Sequence, residues 1–290
     1  MFKITRRGAI GLGIGAAAAA LAPHSFAGPK RDPLLASYAV NVASWWGDVP
    51  FLDRFALASA AGFEAVEMWG VHDEAYSPRD IRQRLDEYGL KLVQILAWYG
   101  PGLTDPAQEK PFLEAMKQAI EDAEYLGADM FTVVGHQDDP SLAMEEKMAR
   151  LQGAYEAALP MVEDGNKTML LEPFNEFNHP GHFIYGSPEA LQICRAVDSP
   201  HLKLNWDLFH MQRHEGELVQ RFRDGIDQVG YVQMADTPDR HQAGTGELNY
   251  DYIFQECRNA GYEGYFGLEC WPKDGDTEQA VADFRAVAPS

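Results

Sequence analysis

TMLLEPFN, residues 168–175, is a short apolar run that ends on an acid, Glu172, and is then broken by Pro173. An apolar run of this length that stops at a proline is typical of a buried strand followed by a turn. Three later stretches share the same plan, so this one indicates the unit from which the chain is built.

The three later runs also carry an oxygen-bearing side chain at or near the carboxyl end. They are HLKLNWD, which ends on Asp207, YVQM, which contains Gln233, and YFGLE, which ends on Glu269. Successive polar positions, starting at Glu172, are separated by 35, 26 and 36 residues. That spacing is about one strand, one helix and two turns, so it predicts consecutive βα units whose strands deliver their polar ends to one rim of a parallel barrel.

The rest of the chain alternates strand and helix signals in the same way. Four β-prone runs precede the opening stretch, at residues 38–43, 63–68, 90–97 and 130–134. Glycines end several of the helical runs between them, as expected just past a helix. Counted along the chain, the units reach eight strands and eight helices, so the predicted fold is an α/β single-domain (β/α)8 TIM barrel. An open doubly wound sheet is the structural rival, but no glycine-rich phosphate loop follows the first strand.

The first 27 residues have the pattern of an export signal. Arg6 and Arg7 precede a weakly apolar run rich in alanine and glycine, and residues 25–27, SFA, form a small-residue cleavage pattern. A membrane anchor needs about 20 strongly apolar residues, which this run lacks. We therefore expect a twin-arginine (Tat-type) signal peptide at residues 1–27, a barrel at residues 28–290 and a periplasmic protein.

Charge and cysteine content restrict the classes of partner and site. A formal net charge of −20 should repel phosphate backbones and anionic lipid, so we expect a small-molecule substrate and neither nucleic acid nor membrane as a partner. Cys194, Cys257 and Cys270 include no CxxC pair, which excludes a thiolate zinc site. They are expected to be buried free thiols, or to form at most one disulfide. The sequence leaves the oligomeric state open.

The four oxygen donors at the strand ends form a candidate metal site. Glu172, Asp207, Gln233 and Glu269 contribute three negative charges and one amide oxygen. Like charges in a poorly solvated pocket repel unless a cation or protons neutralise them. An all-oxygen set favours Mg²⁺ or Mn²⁺ over zinc or copper. If the metal polarises a ketone and its neighbouring hydroxyl, the hydroxyl-bearing carbon becomes acidic. One of the two glutamates, Glu172 or Glu269, can then remove its proton to form an enediolate, and the other can deliver a proton.

Other side chains are placed to contact a substrate. His210 follows Asp207 by three residues and could donate to a substrate oxygen, and Arg240 could clamp a carboxylate. The alternatives are a histidine bonded to backbone and a solvated loop arginine. All six tryptophans fall at or just after predicted strand ends, so we expect an aromatic-walled pocket in which Trp45 and Trp98 contact the substrate. The alternative is that the tryptophans plug the barrel mouth. The remaining histidines are expected to be surface or structural residues: His72, His136, His179, His182, His201, His214 and His241.

Five motifs follow one another between residues 172 and 272: EPFN, LKLNWDLFHMQRHEGEL, VQMADTPDR, GTGELNYDYIF and GLECWP. Together they resemble the hydroxypyruvate isomerase family of the xylose-isomerase-like barrels. The resemblance implies a TIM barrel with a Mg²⁺-type site on the four oxygen donors. It also implies Glu172 and Glu269 as the proton-transfer pair, with His210 and Arg240 near the substrate.

The chain departs from its relatives in places. Ketose 3-epimerases are similar too, but they carry histidine where this chain has Gln233. Members of the resembled family often place a histidine near the end of the third strand, where this chain reads QILAWYG. Endonuclease-like barrels share the fold but need more histidines for a trinuclear zinc site, and a basic DNA-binding face.

The function predicted from the sequence is a metal-dependent isomerase that acts through an enediolate on a small hydroxy-keto acid. Conversion of hydroxypyruvate to tartronate semialdehyde is the first candidate reaction. The alternatives are a ketose 3-epimerase or sugar isomerase acting on a larger carbohydrate, and a non-catalytic periplasmic sugar-binding barrel.

Overall fold

The opening stretch supplies a central strand of a parallel sheet in the structure, a computed structural model that describes residues 31–288. The strands are β1 Tyr38–Asn41, β2 Ala65–Glu67, β3 Lys91–Leu92, β4 Gln94–Trp98, β5 Met130–Val133, β6 Thr168–Leu171, β7 Leu202–Asp207, β8 Val229–Gln233 and β9 Phe266–Leu268. The predicted signal peptide lies outside the described residues, so the periplasmic location stays a prediction.

The strand order is β3-β2-β1-β9-β8-β7-β6-β5-β4, and every neighbouring pair is parallel. Both edges of this sheet, β3 and β4, come from the single run predicted at residues 90–97. A backbone hydrogen bond from Leu96 N to Trp69 O, 3.1 Å, joins β4 to the chain after β2. The nine strands therefore form a nearly closed barrel, which confirms the predicted TIM barrel. The third predicted strand is split because its first part pairs with β2 and its second part pairs with β5.

Helices alternate with the strands and cover the outside of the barrel. They are α1 Arg54–Ala61, α2 Pro78–Tyr88, α3 Glu109–Leu126, α4 Met144–Asp164, α5 Ser187–Val197, α6 Leu208–His214, α7 Leu218–Gly225, α8 Tyr250–Asn259 and α9 Thr277–Ala286. Helix α2 shows how local sequence sets the ends. Ser77 and Asp80 form a capping box at its start, and Gly89 ends it with φ of +63°.

Helix α6 is additional to the eight expected and begins directly at the end of β7. The Asp207 carboxylate accepts a hydrogen bond from Phe209 N at 2.8 Å, so Asp207 ends the strand and also caps the helix. The short α6 therefore holds Asp207 and His210 on the rim of the barrel.

Apolar side chains fill the space between the sheet and the helices. Cys194, Cys257 and Cys270 lie in this layer as buried, unpaired thiols, which confirms the first of the two expectations for them. Among residues 31–288, no helix combines the length and apolar character needed to cross a bilayer.

Candidate active site

A cavity of about 290 Å³ lies at the carboxyl ends of the strands, where barrels of this type carry their active sites. Glu172, Gln233 and Glu269 line it, from positions at or just after the ends of β6, β8 and β9. Asp207, at the end of β7, is fully buried, and its carboxylate accepts a hydrogen bond from Arg240, which lines the cavity. Three of the four predicted oxygen donors therefore line one cavity, and the fourth is bonded to a residue that lines it.

Arg240 joins two of the acids. Its Nη2 donates to Asp207 Oδ2 at 2.9 Å and to Glu269 Oε2 at 3.1 Å. The guanidinium lies 5.4 Å from the ring centroid of Trp271 and 5.0 Å from that of Phe209. Its side chain is only 13% exposed, so the alternative of a solvated loop arginine does not hold.

If Glu172, Asp207 and Glu269 were all ionised, their negative charge would exceed the positive charge of Arg240. Burial raises the pKa of Glu172 well above its usual range, and the charges of Glu269 and Asp207 raise it further. Burial also raises the pKa of Asp207 and of Glu269, while Arg240 partly offsets both shifts. Three acids face one guanidinium, and such a group resists ionising in full without protons or another cation.

One group of side chains in the site could bind a divalent cation. Glu172, Asp207 and His210 are buried and offer ligand atoms that lie within 4.8 Å of one another, so this cluster could bind a metal. The predicted fourth donor, Gln233, is held firmly at both ends of its amide. Its Oε1 accepts from Asn205 Nδ2 at 2.6 Å, and its Nε2 donates to Glu67.

Glu67 is a site residue that the sequence did not lead us to predict. It ends β2, is fully buried, and accepts hydrogen bonds from the amides of Asn41, Gln94 and Gln233 at 3.0–3.2 Å. Burial and the charge of Glu269 raise the pKa of Glu67 to about 8. The signal was present, because Glu67 is an acid at the end of an apolar run, the pattern that identified Glu172.

His210 lies where the sequence predicted, at the cavity and fully buried. Its Nε2 is 3.4 Å from Asp207 Oδ2 and 3.7 Å from Glu172 Oε1. Burial, and after it the positive charge of Arg240, lower the pKa of His210 well below its usual range. Its ring nitrogens contact side chains, which excludes the alternative of a histidine bonded only to backbone.

Two histidines expected to be surface or structural belong to the surroundings of the site. His136 is structural, as expected, since its Nε2 lies 2.8 Å from the backbone oxygen of Glu172 and so supports the end of β6. His179 lines the cavity, which the sequence did not indicate. Its ring stacks on Phe174 with centroids 4.0 Å apart, and its Nδ1 is 3.3 Å from the hydroxyl of Tyr99.

Two of the six tryptophans predicted to wall the cavity line it, and they are not the two that were assigned to the substrate. Trp69 and Trp271 line the cavity with ring centroids 6.1 Å apart, and Trp69 Nε1 donates to Glu269 Oε1 at 2.9 Å. Trp45 is fully buried in the core, and its Nε1 donates to the backbone oxygen of Leu268. Trp98 does not line the cavity and packs against Phe112. We therefore correct the assignment of Trp45 and Trp98 to the substrate site.

A position near a strand end does not fix the direction in which a tryptophan side chain points. Successive side chains along a strand point to opposite faces of the sheet, so a residue near the carboxyl end of a barrel strand can turn toward the cavity or toward the helices. Position near a strand end sets the height in the barrel, and it leaves the direction open. Trp206, near the end of β7, likewise faces the helix layer, where it packs against Phe222.

Comparisons with known proteins agree with this architecture. The model of the xylose isomerase-like TIM barrel family matches residues 55–287. A 2-oxo-tetronate isomerase of Cupriavidus necator is 31% identical over 251 residues, which cover 82% of this chain and 94% of that protein. The hydroxypyruvate isomerase of Escherichia coli is 31% identical over 243 residues, 81% of this chain and 93% of that protein.

A solved structure with a similar fold is described as an AP endonuclease, family 2, from Brucella melitensis. It superposes with a TM-score of 0.79 at 28% identity and covers 87% of this chain and 98% of its own. The family model, the two relatives and the fold all indicate the same family, and the chain belongs to the xylose isomerase-like TIM barrel family.

Proposed function

We propose that this protein is a metal-dependent isomerase of small hydroxy-keto acids that moves a proton between neighbouring carbons through an enediolate. The observation that carries the proposal is a pair of buried carboxyl groups, Glu172 and Glu269, on one cavity beside a single guanidinium. Relatives with 31% identity act, by their names, on hydroxypyruvate and on 2-oxo-tetronate. Both compounds carry a carbonyl next to a hydroxyl-bearing carbon or a carboxylate, which suits this chemistry.

A divalent cation held by Glu172, Asp207, Gln233 and Glu269 would polarise the substrate carbonyl and its neighbouring hydroxyl. The carboxyl groups of Glu172 and Glu269 then hold and move the proton. Both side chains line the cavity, so each can reach a bound substrate. Either glutamate can serve as the base.

Glu269 is the better oriented of the two. Its Oε1 accepts from Trp69 Nε1 and its Oε2 accepts from Arg240 Nη2, so both oxygens are held in place. An oriented carboxyl group loses little freedom when it meets the substrate carbon.

Arg240 lines the cavity, and its guanidinium can pair with a substrate carboxylate, in keeping with an acid as the substrate.

The size of the cavity favours a second candidate substrate beside hydroxypyruvate. The cavity has a volume of about 290 Å³. A three-carbon acid would leave part of that space to water. A four-carbon 2-oxo acid would fill more of it, and a larger ketose is the remaining alternative.

Deuterium exchange tests the proposal. The protein is incubated in deuterated water with Mn²⁺ or with a chelator, and hydroxypyruvate, 2-oxo-tetronate and D-allulose are analysed for incorporated deuterium. Metal-dependent exchange into either acid supports the proposal. Exchange into the ketose alone replaces it with epimerase activity. Exchange into none of the three, or nicking of a duplex with an abasic site, would overturn it.

We also propose that the protein is exported, on the basis of Arg6, Arg7 and the small-residue pattern at residues 25–27. Replacing both arginines with lysine should retain the protein in the cytoplasm. Cell fractionation followed by mass spectrometry of the mature amino terminus checks this. An uncleaved amino terminus on the wild-type protein would contradict it.

A further inference from the structure

Asn175, the last residue of the opening stretch, connects the turn after β6 to His210. It is fully buried. Its Oδ1 accepts hydrogen bonds from the backbone N–H groups of Phe177, at 3.1 Å, and Asn178, at 2.9 Å. Its Nδ2 lies 2.6 Å from His210 Nδ1. One side-chain amide therefore organises a turn and contacts a ring that lines the cavity.

The orientation of this amide cannot be reversed. A flipped amide would direct its NH2 group at the two backbone N–H groups of Phe177 and Asn178, so that donors would face donors. The amide nitrogen must therefore face the ring. Because that nitrogen only donates, His210 Nδ1 must be the acceptor and carry no hydrogen.

A neutral histidine without a hydrogen on Nδ1 carries it on Nε2. The opposite tautomer would let His210 Nε2 accept from Arg240 Nη2, but that contact is 3.5 Å long, at the outer limit of a hydrogen bond. It would also set two donors against each other at 2.6 Å between Asn175 and Nδ1. The short contact decides between the two forms.

The same contact excludes the imidazolium form. A charged ring would bear a hydrogen on Nδ1 and meet the Asn175 amide in the same way.

We infer that Asn175 is a positioning residue that fixes His210 in its Nε2–H form, so that His210 donates a hydrogen bond into the cavity and is not a metal ligand. A metal needs a ring nitrogen with a free electron pair. In His210, Nδ1 is occupied by Asn175 and Nε2 is occupied by its hydrogen.

Glu172 and Asp207 therefore differ from His210 in their expected roles. Glu172 and Asp207 remain as ligands beside Glu269 and Gln233, an all-oxygen set of the kind that Mg²⁺ and Mn²⁺ prefer. His210 donates to a substrate oxygen. That last role rests on the proposed function, whereas the tautomer does not.

Nitrogen NMR of the histidine rings tests the tautomer directly. The full chain is labelled with ¹⁵N-histidine, and the His210 signals are assigned by their loss in His210→Gln. Wild-type protein should show a bare Nδ1 and a hydrogen-bearing Nε2. A hydrogen on Nδ1, alone or with one on Nε2, would overturn the inference whether or not any isomerase activity is found.

Asn175→Asp tests the positioning role. A carboxylate only accepts, so it should draw the hydrogen to Nδ1 and reverse or double-protonate the ring, and kcat should fall about 10–100-fold. Asn178→Asp makes the same chemical change on an exposed side chain three residues later and should alter neither the ring signals nor kcat. An unchanged His210 spectrum in Asn175→Asp would sink the positioning role.

Titration with Mn²⁺ alone, followed by calorimetry, tests whether His210 is a ligand and uses no substrate. His210→Gln should weaken Mn²⁺ binding by less than about tenfold, whereas Asp207→Asn should weaken it more. An equal loss in both variants would make His210 a ligand and refute the inference. Should Asn175→Asp not fold, this titration and the wild-type spectrum still decide the question.

Discussion

Gln233 Nε2 lies 3.2 and 3.1 Å from the two carboxylate oxygens of Glu67. The amides of Asn41 and Gln94 donate to the same carboxyl group at 3.1 and 3.0 Å. Three amides, from β1, β4 and β8, therefore converge on one acid at the end of β2. Glu67 therefore holds the amide nitrogen of Gln233, while the amide of Asn205 donates to its oxygen.

Glu67→Ala should lower the free energy of unfolding by about 2–5 kcal/mol, because it leaves three buried amide donors without their acceptor. Urea denaturation measures the change. Glu64→Ala is the matched control, since Glu64 belongs to the same segment but forms a surface ion pair with Arg31 and should cost about 1 kcal/mol or less. Equal losses in the two variants would show that the convergence on Glu67 contributes little to stability.

Glu269→Gln should preserve the fold and nearly abolish proton exchange. The amide can still accept from Trp69 through its oxygen, but it can neither take up nor release a proton at neutral pH. A general acid or base accounts for about 10²–10⁴-fold in rate, so kcat should fall by that factor. Glu263→Gln, the same change on an exposed residue before β9, serves as the control. Full activity in Glu269→Gln would remove Glu269 from the mechanism.

Two tryptophan variants test the corrected aromatic wall. Trp69→Phe keeps the ring but removes the N–H that donates to Glu269 Oε1 at 2.9 Å. A hydrogen bond to a charged group contributes about 1.5–3 kcal/mol, so kcat should fall roughly tenfold or more. Trp98→Phe loses a bond to the backbone oxygen of Pro101, outside the cavity, and should keep kcat unchanged. A larger loss in Trp98→Phe than in Trp69→Phe would restore the original assignment.

The strand-end acids could be predicted because the period of a βα unit fixes their height in the barrel. Glu172, Asp207, Gln233 and Glu269 each lie at or near the end of an apolar run, and parallel strands bring such ends to one rim. Glu67 shows the same pattern at the end of a run that was predicted as a strand. The sequence offered the strand-end signal for Glu67, but it gave no local signal for the amides from three other strands that contact it.

Side-chain direction and hydrogen-bond partners could not be predicted from position alone. Trp45 and Trp69 both follow strands closely, but one faces the core and the other the cavity. Asn175 ends the stretch with the clearest signal in the chain, but its role depends on a ring 35 residues later. Spacing identifies which residues reach the rim, whereas tertiary packing decides what each one contacts.

Asp236 organises the loop that carries Arg240. Its carboxylate accepts from four backbone N–H groups, those of Thr237, Gly244, Gly246 and Leu248, at 2.9–3.1 Å. Asp236→Ala leaves these donors unpaired and should lower both stability, by about 2–5 kcal/mol, and kcat.

Asp239→Ala, on an exposed residue of the same loop, is the control for Asp236→Ala. Urea denaturation and the exchange assay check the two expected losses. Unchanged kcat in Asp236→Ala would mean that Arg240 keeps its position without this anchor.

The raised pKa values of the buried carboxyl groups predict how the stability of the metal-free protein depends on pH. Burial raises the pKa of Glu67 from 4.5 to about 8, and burial also raises that of Glu172. The folded protein thus keeps protons that the unfolded chain releases, and this contribution to stability is present at low pH and lost as pH rises through the raised values. The buried histidines act in the opposite direction, but only below their ordinary pKa of 6.5, since burial lowers the pKa of His136 to about 3 and that of His179 to about 4.

Between about pH 7 and 8 the acids therefore dominate, and the melting temperature in the presence of a chelator should fall as pH rises. Saturating Mn²⁺ should reverse the slope, because a bound cation favours the ionised carboxylates and binds only the folded state. Thermal melts at several pH values, with chelator and with Mn²⁺, check both slopes. A melting temperature that rises with pH in chelator would show that these carboxyl groups ionise without a metal, and the electrostatic case for a cation site would fall with it.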